Sequence, residues 1–250
     1  MVLMKRDVAD NDAAQQRLRE LGYAVLPDLF NAAEVAGLLD TLEAAETAST
    51  SPNFRRSQDV FAIRHLLEEI PALWPQLQTP SFQRLLAALF PDATPQLVKA
   101  IYFDKPAGSN WLVAWHQDVM VGVRARQEQP GFGPWSQKNG ETTVRPPREI
   151  LESIITLRLH IDDCDATNGA LRVVPGSHHH GVIPNDDLPD FIPQAQTCAV
   201  PAGGVMLMQP LTLHASQRSS SARPRRVIHL EFSAVALPSG LHWRERPDVA

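Results

Sequence analysis

Beyond residue 95 the hydrophobic pattern of the chain changes to short runs that are apolar or alternating. Ile155, Leu157, Leu159 and Ile161 alternate with Thr156, Arg158 and His160, the pattern of a half-buried strand. Similar short runs occupy 97–103, 112–115, 171–174, 197–200, 205–208 and 226–232. Gly, Pro, Asn and Asp separate them. Several short strands without intervening helices predict an antiparallel sandwich or barrel. Pro, at 21, outnumbers Gly, at 13, which suits a loop-punctuated β protein better than a helical bundle.

The residues before that point are patterned as helices. Asp12 with Gln15 resembles a capping box, and Gly22 is placed to stop the helix that follows. Asn31 with Glu34 repeats the signal ahead of a stripe at Val35, Leu38, Leu39 and Leu42. Between these helices, residues 23–26 form a short strand closed by Pro27. Residues 47–60 are expected as a polar loop. A third helix is expected over 81–90, with Phe82, Leu85, Leu86 and Leu89 on one face and Pro91 ending it. No repeat, low-complexity tract or linker divides the chain. One domain is expected: a helical cover over 1–95, a β core over 96–233 and a tail over 234–250. Residues 122–149 are polar and proline-rich, and a loop of that length inside a compact domain is usually functional or disordered.

The 250 residues carry a formal net charge of −5. That argues against nucleic acid as a partner, which usually demands a basic surplus. No run approaches the length a membrane helix needs, and the first residues lack the apolar core of a secretory signal. Cys164 and Cys198 are too few for a disulfide framework or a Cys-rich zinc site. A cytoplasmic protein is expected.

The sharpest local feature is Trp115-His116-Gln117-Asp118. In a strand, residues two apart share a face, so His116 and Asp118 offer an imidazole and a carboxylate to one metal. The pair alone is a weak signal, since such spacings arise by chance among 9 His and 28 acidic residues. A third ligand must come from His65, His160, His178, His179, His180, His214, His229 or His242. The triple His178-His179-His180 is most simply a polar turn. His65 fits an ordinary surface residue, and His160 and His229 fit core histidines with one satisfied hydrogen bond. His242 lies in the tail. His214 has the more telling surroundings: it follows the 205–208 strand, Ser216 is two residues on, and Arg225 opens the next strand. Two histidines and a carboxylate leave open positions on a six-coordinate iron. A 2-oxo acid bound there needs its far carboxylate held, which the planar fork of arginine does best.

The ordered set Trp115-His116-Gln117-Asp118, Asn168-Gly169-Ala170-Leu171, Pro175-Gly176-Ser177-His178, His214-Ala215-Ser216 and Arg225-Arg226 resembles the phytanoyl-CoA dioxygenase family. Residues 22–27 look like that family's opening, and the resemblance spans roughly 15 to 233. It implies a double-stranded β-helix (a cupin-like jelly roll), mainly β with N-terminal helices. It also implies Fe(II), 2-oxoglutarate and O2 used to hydroxylate a small molecule. It makes His116, Asp118 and His214 the iron ligands, and Arg225 the partner of the 2-oxoglutarate 5-carboxylate with Ser216 assisting. Strand parity does not choose between Arg225 and Arg226; spacing from His214 in similar proteins favours Arg225. Trp135 matches a family tryptophan near the cosubstrate, and Lys99 is a further candidate for that pocket. Where the family often carries an Asn after the distal His-x-Ser, this chain has Gln217-Arg218-Ser219. Related halogenases replace the carboxylate with a small residue, so Asp118 favours hydroxylation and leaves desaturation, ring formation and epoxidation open.

Two other classes compete. A zinc-dependent cupin-type hydrolase or isomerase needs three ligands and water but gives Arg225 no role. A non-catalytic member of the fold would bind metal without turnover. No basic patch or phosphate loop marks a coenzyme A site. The expected substrate is a small polar metabolite or natural-product precursor. The 122–149 loop and residues 61–71 are expected to form a lid, with Arg64, Arg124, Arg126 and Lys138 available to an anionic substrate.

Overall fold

The computed structural model describes residues 2–56, 60–105, 111–138 and 140–245. The last five residues of the expected tail, and 57–59 of the expected 47–60 loop, lie outside them. Strands are numbered along the chain, and all pair antiparallel. The large sheet runs, in spatial order, β1 (Tyr23–Leu26), β12 (Val205–Met208), β9 (Ile154–His160), β14 (Arg226–Ser233), β4 (Gln96–Asp104), β3 (Val60–Arg64) and β2 (Phe54–Arg56). Against it packs a four-stranded sheet of β11 (Gln196–Thr197), β10 (Leu171–Val173), β13 (His214–Ser216) and β5 (Val113–His116). This is the expected double-stranded β-helix.

Strand parity divides the large sheet into two faces with different jobs. Leu157, Leu159, Ile228, Leu230 and Phe232 point outward and join one apolar cluster with Leu38, Leu42, Phe82 and Leu85 of the covering helices. Phe82 meets Phe232 edge-on at 6.1 Å. Burying each such side chain contributes about 1.5–3 kcal/mol. The inward face is polar at one end, where Arg158, His229, Lys99 and Arg225 line a cavity of about 230 Å³ between the sheets. At the other end it is apolar, with Met206 and Met208 packed on Leu171 and Val173.

The helices form for local reasons. Asn31 caps Ala32–Ala48 with both bonds of a capping box. Thr79 caps Pro80–Leu89, its Oγ1 accepting from Phe82 N. The helix Val2–Leu21 runs through Asp12, so the capping signal there marks no start; a favourable local motif yields to continuous helix formers on both sides. Gly22 does end it, at φ +81°, with its N–H on Leu18 O at 3.0 Å. A side chain at position 22 would meet Thr212 Oγ1 at 2.4 Å. Among the described residues no helix is long and apolar enough to cross a membrane.

Three expectations are corrected. The 122–149 stretch is not a structureless loop: it holds a small sheet of β6 (Val121–Val123), β8 (Glu141–Val144) and β7 (Trp135–Lys138), ordered 6-8-7. Residues 54–56 of the expected 47–60 loop are strand β2. Residues 61–71 are no lid over the site, because β3 and the helix Leu66–Glu69 bury Ile63, Leu66 and Leu67 in the main core.

Candidate metal centre

β5 and β13 are neighbours, and their register sets His116 directly opposite His214. Opposed residues on one face bring their side chains together, and the two imidazole centroids lie 4.2 Å apart. Asp118 lies just past the end of β5, its N–H donating to Pro210 O at 2.9 Å. Its two carboxylate oxygens each lie 3.7 Å from one histidine, Oδ1 from His116 Nε2 and Oδ2 from His214 Nε2. One donor atom from each residue falls within 4.8 Å of the other two.

The backbone selects which ring nitrogens face inward. His116 Nδ1 donates to Ala114 O at 2.8 Å, and His214 Nδ1 donates to Thr212 O at 2.9 Å. A carbonyl only accepts, so Nδ1 holds a proton in each ring and Nε2 is the nitrogen turned toward Asp118. Burial pushes His214 down to about 4 despite the nearby Asp118. Burial alone would raise the Asp118 carboxyl, but His214 and Lys99 outweigh it and hold it well below the usual carboxylate range. At neutral pH Asp118 therefore presents a carboxylate and His214 an imidazole lone pair, and with His116 beside them the three carry the donor types of a facial triad with open positions.

The intervening motif residues are scaffold. Gln117 turns away: its Nε2 donates to Gly181 O and Leu211 O at 2.7 and 2.6 Å, and its Oε1 accepts from Ile183 N at 2.7 Å. Ser177 Oγ accepts from Leu213 N at 2.8 Å, fixing the residue before His214. Asn168 Nδ2 donates to Asp163 O and Pro224 O, which fixes the residue before Arg225.

Arg225 is 4% exposed and lines the cavity with Ser216. Its Nη1 donates to Gly169 O at 2.8 Å, while its buried Nε has no partner. Arg226 points elsewhere, forking onto both oxygens of Asp162 at 2.9 and 2.7 Å. Parity left the choice between the two open; of them, Arg225 lines the cavity and Arg226 is held by Asp162. Lys105, unremarked in the sequence, is 1% exposed and donates to Ser216 Oγ at 3.3 Å and Gln217 O at 2.6 Å. Burial, then Arg225, pushes it down to about 8. Lys99 lines the same cavity but is committed to Glu231 at 2.7 Å.

Trp135 does not reach this cavity. It stands on β7, donates Nε1 to Glu128 at 3.2 Å and carries Arg126 over its ring. The tryptophan that lines the cavity is Trp111. Of the suggested anion-facing residues, Arg126 pairs with Glu128, Arg124 and Lys138 are exposed, and Arg64 lines a neighbouring cavity. His178 is buried in a 3-10 turn and bonded to Arg19 O at 3.0 Å. His160 is buried with neither ring nitrogen bonded, so the single satisfied bond expected of it is missing.

His65 is no surface residue. It is buried at φ +52°, with Glu245 on Nδ1 at 3.1 Å and Glu141 on Nε2. It thereby ties β3 and the small sheet to the C-terminal segment. Glu245 first and Glu141 second raise its pKa above 6.5, against the opposing effect of burial. A raised histidine contributes stability fully below its unfolded pKa and loses it as pH rises through the folded one. Thermal stability is therefore expected to fall as pH is raised from 6 to 9, and His65→Asn to flatten that slope. Equal slopes in melting curves of the two proteins would contradict the assignment.

The phytanoyl-CoA dioxygenase (PhyH) family model matches residues 18–227. The chain belongs to the phytanoyl-CoA dioxygenase family. Comparison by sequence with curated proteins gives no match. Among solved structures, AviO1 from Streptomyces viridochromogenes Tue57 superposes with a TM-score of 0.66 at 21% identity, over 92% of this chain and 97% of that one. EctD from S. alaskensis, with 2-oxoglutarate and 5-hydroxyectoine, gives 0.69 at 19% identity, over 93% and 80%. EvdO2 from Micromonospora carbonacea var. aurantiaca, complexed with 2-oxoglutarate, gives 0.64 at 19%, over 94% and 96%. These likenesses carry the fold.

Proposed function

We propose that this family member is a non-haem Fe(II)- and 2-oxoglutarate-dependent dioxygenase that hydroxylates a small molecule. The observation that carries the proposal is one cavity holding both halves of the requirement. His116, Asp118 and His214 converge on one wall, and a buried arginine with an unpartnered Nε, Arg225, lines the same space. A zinc hydrolase would use the first and leave the second idle.

In this reading His116, Asp118 and His214 hold the iron. Arg225 and Ser216 hold the far carboxylate of 2-oxoglutarate, and Lys105 supports Ser216. Iron and the 2-oxo acid together supply the oxidising chemistry: O2 is consumed, 2-oxoglutarate becomes succinate and CO2, and one oxygen atom enters a substrate C–H bond. The protein's own residues do the rest. Thr212 O and Ala114 O keep Nε2 of each imidazole free. Arg225 orients the cosubstrate, and the apolar end of the interior limits water. The free, buried Cys164 and Cys198 suit a reducing compartment.

The test is anaerobic. Fe(II) followed by 2-oxoglutarate is expected to give a weak visible charge-transfer band in the wild type and none in His214→Ala. Bound iron without the band would move the reading to a zinc or non-catalytic cupin.

A further inference from the structure

The cavity wall opposite the metal ligands carries more positive charge than metal and cosubstrate account for. Arg158, on β9, is 6% exposed and lines the cavity. Its guanidinium lies over Phe103 at 5.8 Å, and its Nη1 donates to His229 Nδ1 at 2.9 Å. Because Nδ1 accepts, Nε2 carries the ring proton and donates to Glu231 at 2.9 Å. Glu231 also accepts from Lys99 at 2.7 Å. Lys99 thus cancels Glu231, and His229, its pKa lowered by burial, stays neutral. Arg158 is left with its whole charge. None of the ion pairs among the described residues includes it, and its buried Nε has no hydrogen-bond partner.

An unpaired buried charge costs several kcal/mol, and buried polar groups without partners call for an explanation. The cosubstrate does not supply one. A divalent metal beside Asp118 keeps one positive charge, and Arg225 adds a second. The two carboxylates of 2-oxoglutarate neutralise both. The charge on Arg158 stands over, and Lys105 only adds to the surplus.

We propose that the primary substrate is a carboxylate and that Arg158 receives its carboxyl group. This rests on the dioxygenase reading of the same site and names the substrate class within it. A guanidinium edge pairs with both oxygens of a carboxylate. His229 adds no donor, because its one N–H is spent on Glu231. A phosphate, with more oxygens to satisfy, is served less well.

The test uses the full chain with Fe(II) and 2-oxoglutarate under nitrogen. Matched probes are added: benzoate and benzamide, cyclohexanecarboxylate and its carboxamide, hexanoate and hexanamide. Quenching of tryptophan fluorescence reports binding, since Trp111 lines the cavity. At least one acid is expected to bind about tenfold or more tightly than its amide, and Arg158→Met to reduce that preference to about twofold or less. The same variant is expected to keep 2-oxoglutarate affinity within about threefold of wild type, and Arg158→Lys to retain part of the acid preference. Equal binding of acids and amides by the wild type, including none of either, overturns the proposal, and this comparison needs no variant to fold. A loss of about tenfold or more in 2-oxoglutarate affinity in Arg158→Met also overturns it, by giving Arg158 to the cosubstrate. Failure of the wild type to bind Fe(II) and 2-oxoglutarate at all removes the dioxygenase reading instead. The acid-against-amide comparison on the metal-free protein then still decides the role of Arg158.

Discussion

Asp118→Ala is expected to weaken Fe(II) binding more than about a hundredfold, since even partners one shell out from a metal are worth about 10–100-fold. Succinate release is expected to fall by about a thousandfold or more, equivalent to about 4 kcal/mol of barrier. Asp118 is the one carboxylate of the set, and it sits between both imidazoles at 3.7 Å. Removing it leaves the two histidines in register, because β5 and β13 set their positions. The loss should therefore appear in metal affinity and turnover, with the melting temperature of the metal-free protein nearly unchanged. Isothermal titration with Fe(II) and a succinate assay decide the matter. Wild-type succinate release by the variant without added halide would end the triad assignment.

Arg225→Met is expected to weaken 2-oxoglutarate binding by about 2–5 kcal/mol, the usual cost of truncating one partner of a buried charged pair. Arg225→Lys keeps the charge and loses the fork, so a smaller loss of about tenfold is expected. Fe(II) binding should survive in both, because Arg225 donates to Gly169 O and bonds to none of the three ligand residues. Titrating 2-oxoglutarate into the anaerobic Fe(II) protein separates the two effects. An unchanged dissociation constant in Arg225→Met would remove the residue from the cosubstrate site.

The β core was legible because each strand of the large sheet has an apolar face turned to the helices. What the opposite face does was not legible. Thr156, Arg158 and His160 have the spacing of a solvent-facing edge, yet all three are buried between the sheets. Alternation reports that two faces differ; it does not tell water from a polar cavity. Arg158 and Lys105 were passed over for that reason. His65 needed partners from Glu141 and Glu245, the second of them 180 residues away, and no local pattern carries such information. The small sheet escaped notice because Trp-Ser-Gln-Lys and Glu-Thr-Thr-Val are short and polar. With that sheet unseen, Trp135 was placed near the cosubstrate by its match to a family tryptophan, whereas the tryptophan that lines the cavity is Trp111. The three candidate ligands could be picked out because His-x-Asp and the distal histidine keep their spacing to neighbouring motifs, and those motifs prove to be the hydrogen-bonded scaffold around them.

The bond from Thr212 Oγ1 to Gly22 O joins residues 190 apart, and β1 closes on β12 over a similar span. Such contacts are slow to form, because most of the chain must be ordered before its two ends can meet. Thr212 O is the acceptor that orients His214. The residue that bonds to Gly22, just ahead of β1, is thus the one that orients His214. During refolding, iron affinity is expected to appear no earlier than hydrogen-exchange protection of the Val25 amide, and tight iron binding ahead of that protection would contradict the sequence of events. Before β1 docks, Thr212 lacks its bond to Gly22, so the proposed oxidising centre is expected to be complete only once the fold around it has closed.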